Sequence, residues 1–220
     1  MQTARALLFI TLALLSQARP ACAQAGAPQA PARPDEGVLD GSAYTNEYFG
    51  LTLTLPKGWK TQGEAAKRDF KEKGRRLIDP KDPAKQASID RAVSNTLSLL
   101  TASQHPLGAP VHFNPMFVCA AEKIPDSAAG ATDADYMAVL KKTLAYSQAP
   151  VTIDRDVYTE SVGGETFSVI DITITFPDAV GRQRLYTHIR RGYALSFILI
   201  YLTDEQLRAL KGVVGSVRFR

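Results

Sequence analysis

The sequence predicts an α+β fold, an antiparallel β-sheet flanked by α-helices. Three observations carry that expectation. Apolar residues alternate with polar ones at Leu51, Leu53 and Leu55, and again at Ile170, Ile172, Ile174 and Phe176, the period of a half-buried strand. Helix-start signals stand apart from these runs, at Asp82-Pro83, Thr132 and Thr203. The late strands are separated only by Gly163-Gly164 and Arg191-Gly192, links too short for a crossover, so these neighbours run antiparallel.

Residues 44–55 read as two short strands, stopped by Pro56-Lys57-Gly58-Trp59. Thr61-Gln62-Gly63-Glu64 has capping-box spacing, and Ala66, Phe70 and Leu77 share one face of the helix that follows. Asp82 as cap and Pro83 at the first helical position open a second helix, expected to end near Ala92. Strands are expected at 95–103 and 113–124, with His105-Pro106, Gly108 and Pro110 making a loop between them. Thr132 caps a helix from Asp133 to about Ser147, whose apolar stripe is Met137, Leu140 and Leu144.

Strands at 151–161 and 165–176 come next, then a turn over 177–181, then strands at 182–190 and 193–202. The last is apolar at nearly every position, as in a strand covered on both faces. Thr203 and Gln206 form a second capping box, Leu207, Leu210 and Val214 follow at helical spacing, and Gly215 stands at the C-cap. Residues 216–220 add a final short strand.

The chain has 220 residues, 45% apolar and 22% charged, which excludes collagen, coiled coil and disulfide scaffolds. Residues 1–23 read as a secretory signal peptide. Arg5 supplies the basic start, residues 6–15 are an uncharged, largely apolar run, and the small residues Ala21 and Ala23 set cleavage before Gln24. Ten helical residues rise about 15 Å, half of a bilayer core of about 30 Å, so no transmembrane anchor is expected in the mature chain. Arg19 stands where a lipidated Cys22 would want Leu, which disfavours a lipid anchor. Residues 24–43 are an Ala/Pro-rich flexible linker and residues 44–220 the folded domain. The destination is the periplasm or the exterior.

The leader carries Arg5 and Arg19 and no acid, so its removal lowers the net charge from +4 to +2. The remaining charge is segregated: residues 57–91 carry +5 and 181–220 carry +6, around −6 over 92–180. Such a chain either presents a dipolar surface to a charged partner, an envelope protein or an anionic surface, or neutralises itself by packing basic helices beside acidic strands. Nucleic acid is not expected for an exported chain without a recognition motif. Removing the leader also removes Cys22, leaving Cys119 in an apolar run as a buried, inert thiol.

Tyr48-Phe49-Gly50-Leu51-Thr52-Leu53-Thr54-Leu55-Pro56-Lys57-Gly58-Trp59 resembles the opening of PsbP-like and DcrB-like domains. The ending is similar too: the strand Gly192-Tyr193-Ala194-Leu195-Ser196-Phe197, the helix after Thr203, then Ser216-Val217-Arg218-Phe219. The resemblance spans residues 44–220 in order. It implies an α/β/α sandwich and an exported accessory or assembly role without catalysis. It transfers no catalytic residue, and a secretory leader in place of a transit peptide removes any implication of a plant photosynthetic role.

No reaction is signalled by motif. The three histidines, His105, His112 and His188, lack metal-ligand spacing, so no metal is expected. P-loop, Gly-x-Gly-x-x-Gly and Gly-x-Ser-x-Gly patterns are absent, so neither a cofactor nor a hydrolase elbow is expected. One constellation stands out. Arg182, Arg184, Tyr186, His188 and Arg190 share a strand face by alternation. If Phe176 pairs with Gln183, Asp171 lies opposite His188 and Thr173 opposite Tyr186. Three readings stay open: a charge-laced structural face, a hydrolase-type site using Asp171 and His188, and an anion-binding strip of Arg182, Arg184 and Arg190. The second lacks a nucleophile, because Ser168 falls on the opposite face.

Overall fold

A computed structural model describes residues 34–177 and 179–220; the leader and the first part of the linker lie outside the described residues. Strand β1 (Val38–Asp40) falls within the segment read as linker and pairs with β2 (Ala43–Asn46), which pairs in turn with β3 (Leu51–Thr54). Ordered structure therefore begins ahead of Tyr44. The C-terminal β11 (Arg218–Phe219) joins β3, closing a four-stranded antiparallel sheet of order β1-β2-β3-β11.

The larger sheet holds β4 (Lys60–Thr61), β5 (Thr96–Ser103), β6 (Met116–Lys123), β7 (Val151–Val162), β8 (Glu165–Phe176), β9 (Ala179–Arg190) and β10 (Tyr193–Tyr201). Its order is β4-β5-β6-β10-β9-β8-β7, antiparallel throughout. Helices α1 (Glu64–Arg76), α2 (Pro83–Ser94) and α3 (Asp133–Leu144) supply Phe70, Ile89, Met137 and Leu140 to a core on one face of this sheet, against Ile170, Ile172 and Ile198. The other face meets the small sheet and α4 (Asp204–Gly215), burying Phe49, Leu51, Phe117, Phe167, Phe197 and Leu210. Strand β10 serves both cores, as its unbroken apolar run predicts. The α+β class is the one expected, with helices on both faces and a small sheet sharing the second.

Local signals explain most boundaries. Thr132 and Thr203 form full capping boxes with Asp135 and Gln206. Asp82 accepts from the amides of Ala84 and Lys85, with Pro83 behind it. The box expected at Thr61 does not form. Thr61 is engaged in β4 opposite Ala102, and the N-cap of α1 is Gly63, which has no side chain to cap with. Helix α3 stops at Leu144, short of Ser147, because Ser147 bridges to Ile78 and the Asp79 and Gln148 amides bond to Tyr146 and Leu77 carbonyls. Gly215 is the last residue of α4 and Ser216 the cap. Arg191 and Gly192 both take positive φ, +52° and +76°, the backbone of a two-residue hairpin turn.

One sequence expectation fails with consequence. Phe176 pairs with Ala179, not Gln183, so β9 begins three residues earlier than the turn residues suggested. Asp171 then lies opposite Arg184, and Thr173 opposite Arg182.

Candidate functional site

The register determines what the β9 residues meet. Arg182, Arg184, Tyr186, His188 and Arg190 do share a face, the one turned toward the small sheet and α4, where Tyr186 is fully buried. Four of them, Arg184, Tyr186, His188 and Arg190, are gathered into two separate networks.

The first centres on Asp171 and Arg184. The guanidinium donates from Nε and Nη2 to the two carboxylate oxygens, at 2.6 and 2.8 Å. Tyr158 on β7 donates to Asp171 Oδ2 at 3.2 Å, and the Arg155 guanidinium lies 3.6 Å from the centre of the Tyr158 ring. Glu160 on β7 accepts from Tyr186 Oη at 2.9 Å and stands 3.7 Å from Arg184 and 3.8 Å from Lys211. Burial pushes the Tyr158 and Tyr186 phenols up, and the neighbouring carboxylates, Asp171 and Glu160, push the same way. Both phenols therefore stay protonated and donate. Arg182 lies beyond this network, half-exposed, 3.8 Å from Asp204.

The second network lies at the other end of β9. The β8–β9 pairing ends at Ser168 and Thr187, and beyond it Asp133, the first residue of α3, takes over. Its Oδ1 accepts the Ile189 amide at 2.7 Å and its Oδ2 lies 3.2 Å from His188 Nδ1. His188 Nε2 stands 4.0 Å from Glu165, and the ring lies against Phe167. Arg190 donates to the carbonyls of Phe49 and Arg220 at 2.8 and 3.0 Å and to Glu165 at 3.2 Å. It thereby ties β9 to the small sheet and to the last residue.

The hydrolase-type pairing is thus not formed. Asp171 belongs to Arg184 and His188 to Asp133. A histidine serving as general base needs one ring nitrogen on a nucleophile and the other on an orienting group. Here both face carboxylates. Cys119 is fully buried, and burial pushes its thiol up, so it is no nucleophile either. No group of three or more His, Cys, Asp and Glu side chains suited to a metal occurs among the described residues.

Sequence reasoning missed Tyr158, Glu160, Glu165 and Asp133. The first three become visible once β8 and β9 are joined at Phe176–Ala179 and β7 is laid alongside. Asp133 leaves no such trace, because its meeting with His188 is a tertiary contact between a helix start and a strand end.

No family model matches the chain, and no curated protein matches it. Solved structures do. Cyanobacterial PsbP (CyanoP) from Synechocystis sp. PCC 6803 is similar with a TM-score of 0.50 at 13% identity, over 86% of this chain and 99% of that one. That likeness shows an antiparallel α+β fold of the PsbP kind. LpqN of Mycobacterium tuberculosis, a protein involved in cell envelope biogenesis, gives 0.45 at 13% identity over 84% and 88% of the two chains. PA94 of Pseudomonas aeruginosa, a protein of unknown function, gives 0.42 at 16% identity over 57% and 82%.

Proposed function

We propose that the protein is an exported, non-catalytic accessory or binding protein of the bacterial cell envelope. The observation that carries this reading is the separation of Asp171 from His188. The pair of side chains that the sequence offered for a hydrolase-type site is split between two networks that brace the fold. The secretory character of residues 1–23 supports export, and no helix among the described residues is long and apolar enough to cross a membrane. The anion-strip alternative is weakened, since Arg184 and Arg190 are spent on internal partners and Arg182 alone keeps an exposed guanidinium.

Expression of the whole chain in a two-membrane bacterium tests the reading. The expected product is a periplasmic protein that begins at Gln24 and that crosslinking joins to an envelope component. Turnover in a broad hydrolase screen, abolished by His188→Ala, would overturn it.

A further inference from the structure

A second feature lies away from both networks. β1 and β4 are outermost strands of the two sheets, and residues of β1 and the turn after it, of the β3–β4 link and of β4 line an open groove of about 630 Å³. That volume falls within the range of about 300–1,000 Å³ usual for ligand sites. Trp59 lines it while also packing on the core, and Leu39 adds an exposed apolar edge. Lys57 and Lys60 line it too, both exposed and in no ion pair among the described residues, and none of the described residues lining it is acidic. Gly41 and Gly58 complete the walls with bare backbone, and neither has another atom within 4 Å of where a Cβ would stand.

We infer that this groove binds an acidic glycan, with the Trp59 ring against a sugar face and Lys57 and Lys60 on the sugar carboxylates. The charge complementarity is one-sided, two unneutralised cations and no acid. The half-buried indole gives a rigid apolar platform with a polar N–H. Side-chain-free Gly41 and Gly58 let a polymer approach the backbone. Other occupants fit less well. A peptide added as a strand needs a longer edge than the three residues of β1 or the two of β4. A flat bilayer does not fill a concave groove. The inference names a partner class for the binding-protein reading and rests on that reading.

Trp59 is the only tryptophan in the chain, so indole emission reports this groove. Titration of the purified protein with a galacturonate oligomer is expected to change the emission saturably. Maltopentaose, neutral and of similar shape, is expected to leave it unchanged. Lys57→Glu with Lys60→Glu is expected to weaken the galacturonate response by about tenfold or more, and added salt to weaken it too. Both lysines are exposed and in no ion pair among the described residues, so the variant is expected to keep its fold, which an unchanged urea-unfolding curve checks. No response to galacturonate, an equal response to maltopentaose, a response unaltered in the lysine variant, or a response confined to phosphatidylglycerol vesicles would overturn the inference. Any of these leaves the export and crosslinking results standing, so the two readings fail separately.

Discussion

Arg184 and Asp171 face each other directly across the β8–β9 ladder and close a two-bonded ion pair, with 12% and 10% of their side chains exposed. A pair this enclosed costs more to break than to replace. Removing one partner strands the other charge where water hardly reaches it. Arg184→Met and Asp171→Val, made singly, are each expected to cost about 3 kcal/mol, the lower end of the buried-pair range because each side chain keeps some exposure. The double variant is expected to be more stable than either single one, since neither charge is then left alone. Urea unfolding of the four proteins measures this. Single variants within about 1 kcal/mol of the parent would show the pair to be a surface contact in energetic terms.

Asp133 has two jobs that substitution can separate. It accepts the Ile189 amide, and it faces the His188 ring. Asp133→Asn retains an oxygen for the amide, whereas Asp133→Ala leaves that N–H without its partner at a strand end. The alanine variant is expected to lose about 1–3 kcal/mol and the asparagine variant about half as much. Hydrogen exchange gives the local readout: the Ile189 amide is expected to exchange faster in Asp133→Ala than in Asp133→Asn. Equal exchange in the two would mean that the carboxylate does not hold the strand.

These networks show where sequence reading stops. The faces were legible: Ile170, Ile172 and Ile174 do point into one core, Met137, Leu140 and Leu144 do line α3, Thr132 does cap α3, and the Thr203 box does form. Alternation fixes a face but not a register. Moving the partner of Phe176 from Gln183 to Ala179 is a slip of four, an even number, so every β9 residue keeps its face while Asp171 passes from His188 to Arg184. Pro177 to Gly181 reads as a loop by composition, yet β9 starts inside it at Ala179. Trp59 and Lys57 show a different gap. In the sequence they only end a strand, and the groove they line exists because edges of two sheets come together there.

The uncapped start of α1 offers a gain. Gly63 occupies the cap position with extended backbone, φ −74° and ψ 169°, a conformation open to any residue, and a Cβ there meets nothing within 4 Å. Gly63→Asp would supply the missing acceptor for the first-turn amides and place a negative charge at the helix N-terminus. It would also remove some chain entropy from the unfolded state. A stabilisation of about 0.5–1 kcal/mol is expected, read as a higher urea midpoint with an unchanged slope. Gly63→Ala lacks the acceptor and separates the cap from the backbone effect. If alanine stabilises as much as aspartate, capping is not the cause.

Alkaline pH should destabilise the fold, beginning with Cys119. Its side chain is fully buried, and burial pushes the thiol well above its ordinary range. In the unfolded chain the same thiol ionises near pH 8.5. Above that pH the unfolded state has released a proton that the native state retains, so stability falls as pH rises, by up to about 1.4 kcal/mol per pH unit. Below it both states are protonated and the contribution is constant. Tyr44, Tyr158, Tyr186 and Tyr201 are pushed up by burial as well, and they add a loss of the same sign that sets in from about pH 9 and steepens above about pH 10. Between pH 8 and 10 the thiol alone is expected to remove about 2 kcal/mol. Cys119→Ala loses packing at every pH but has no thiol proton to release, so between pH 8 and 10 its stability is expected to fall by about 2 kcal/mol less than the parent's, only the tyrosines' share remaining. Urea unfolding at half-unit pH steps compares the two profiles, and parallel curves would mean that the buried thiol is not what the alkaline limb titrates.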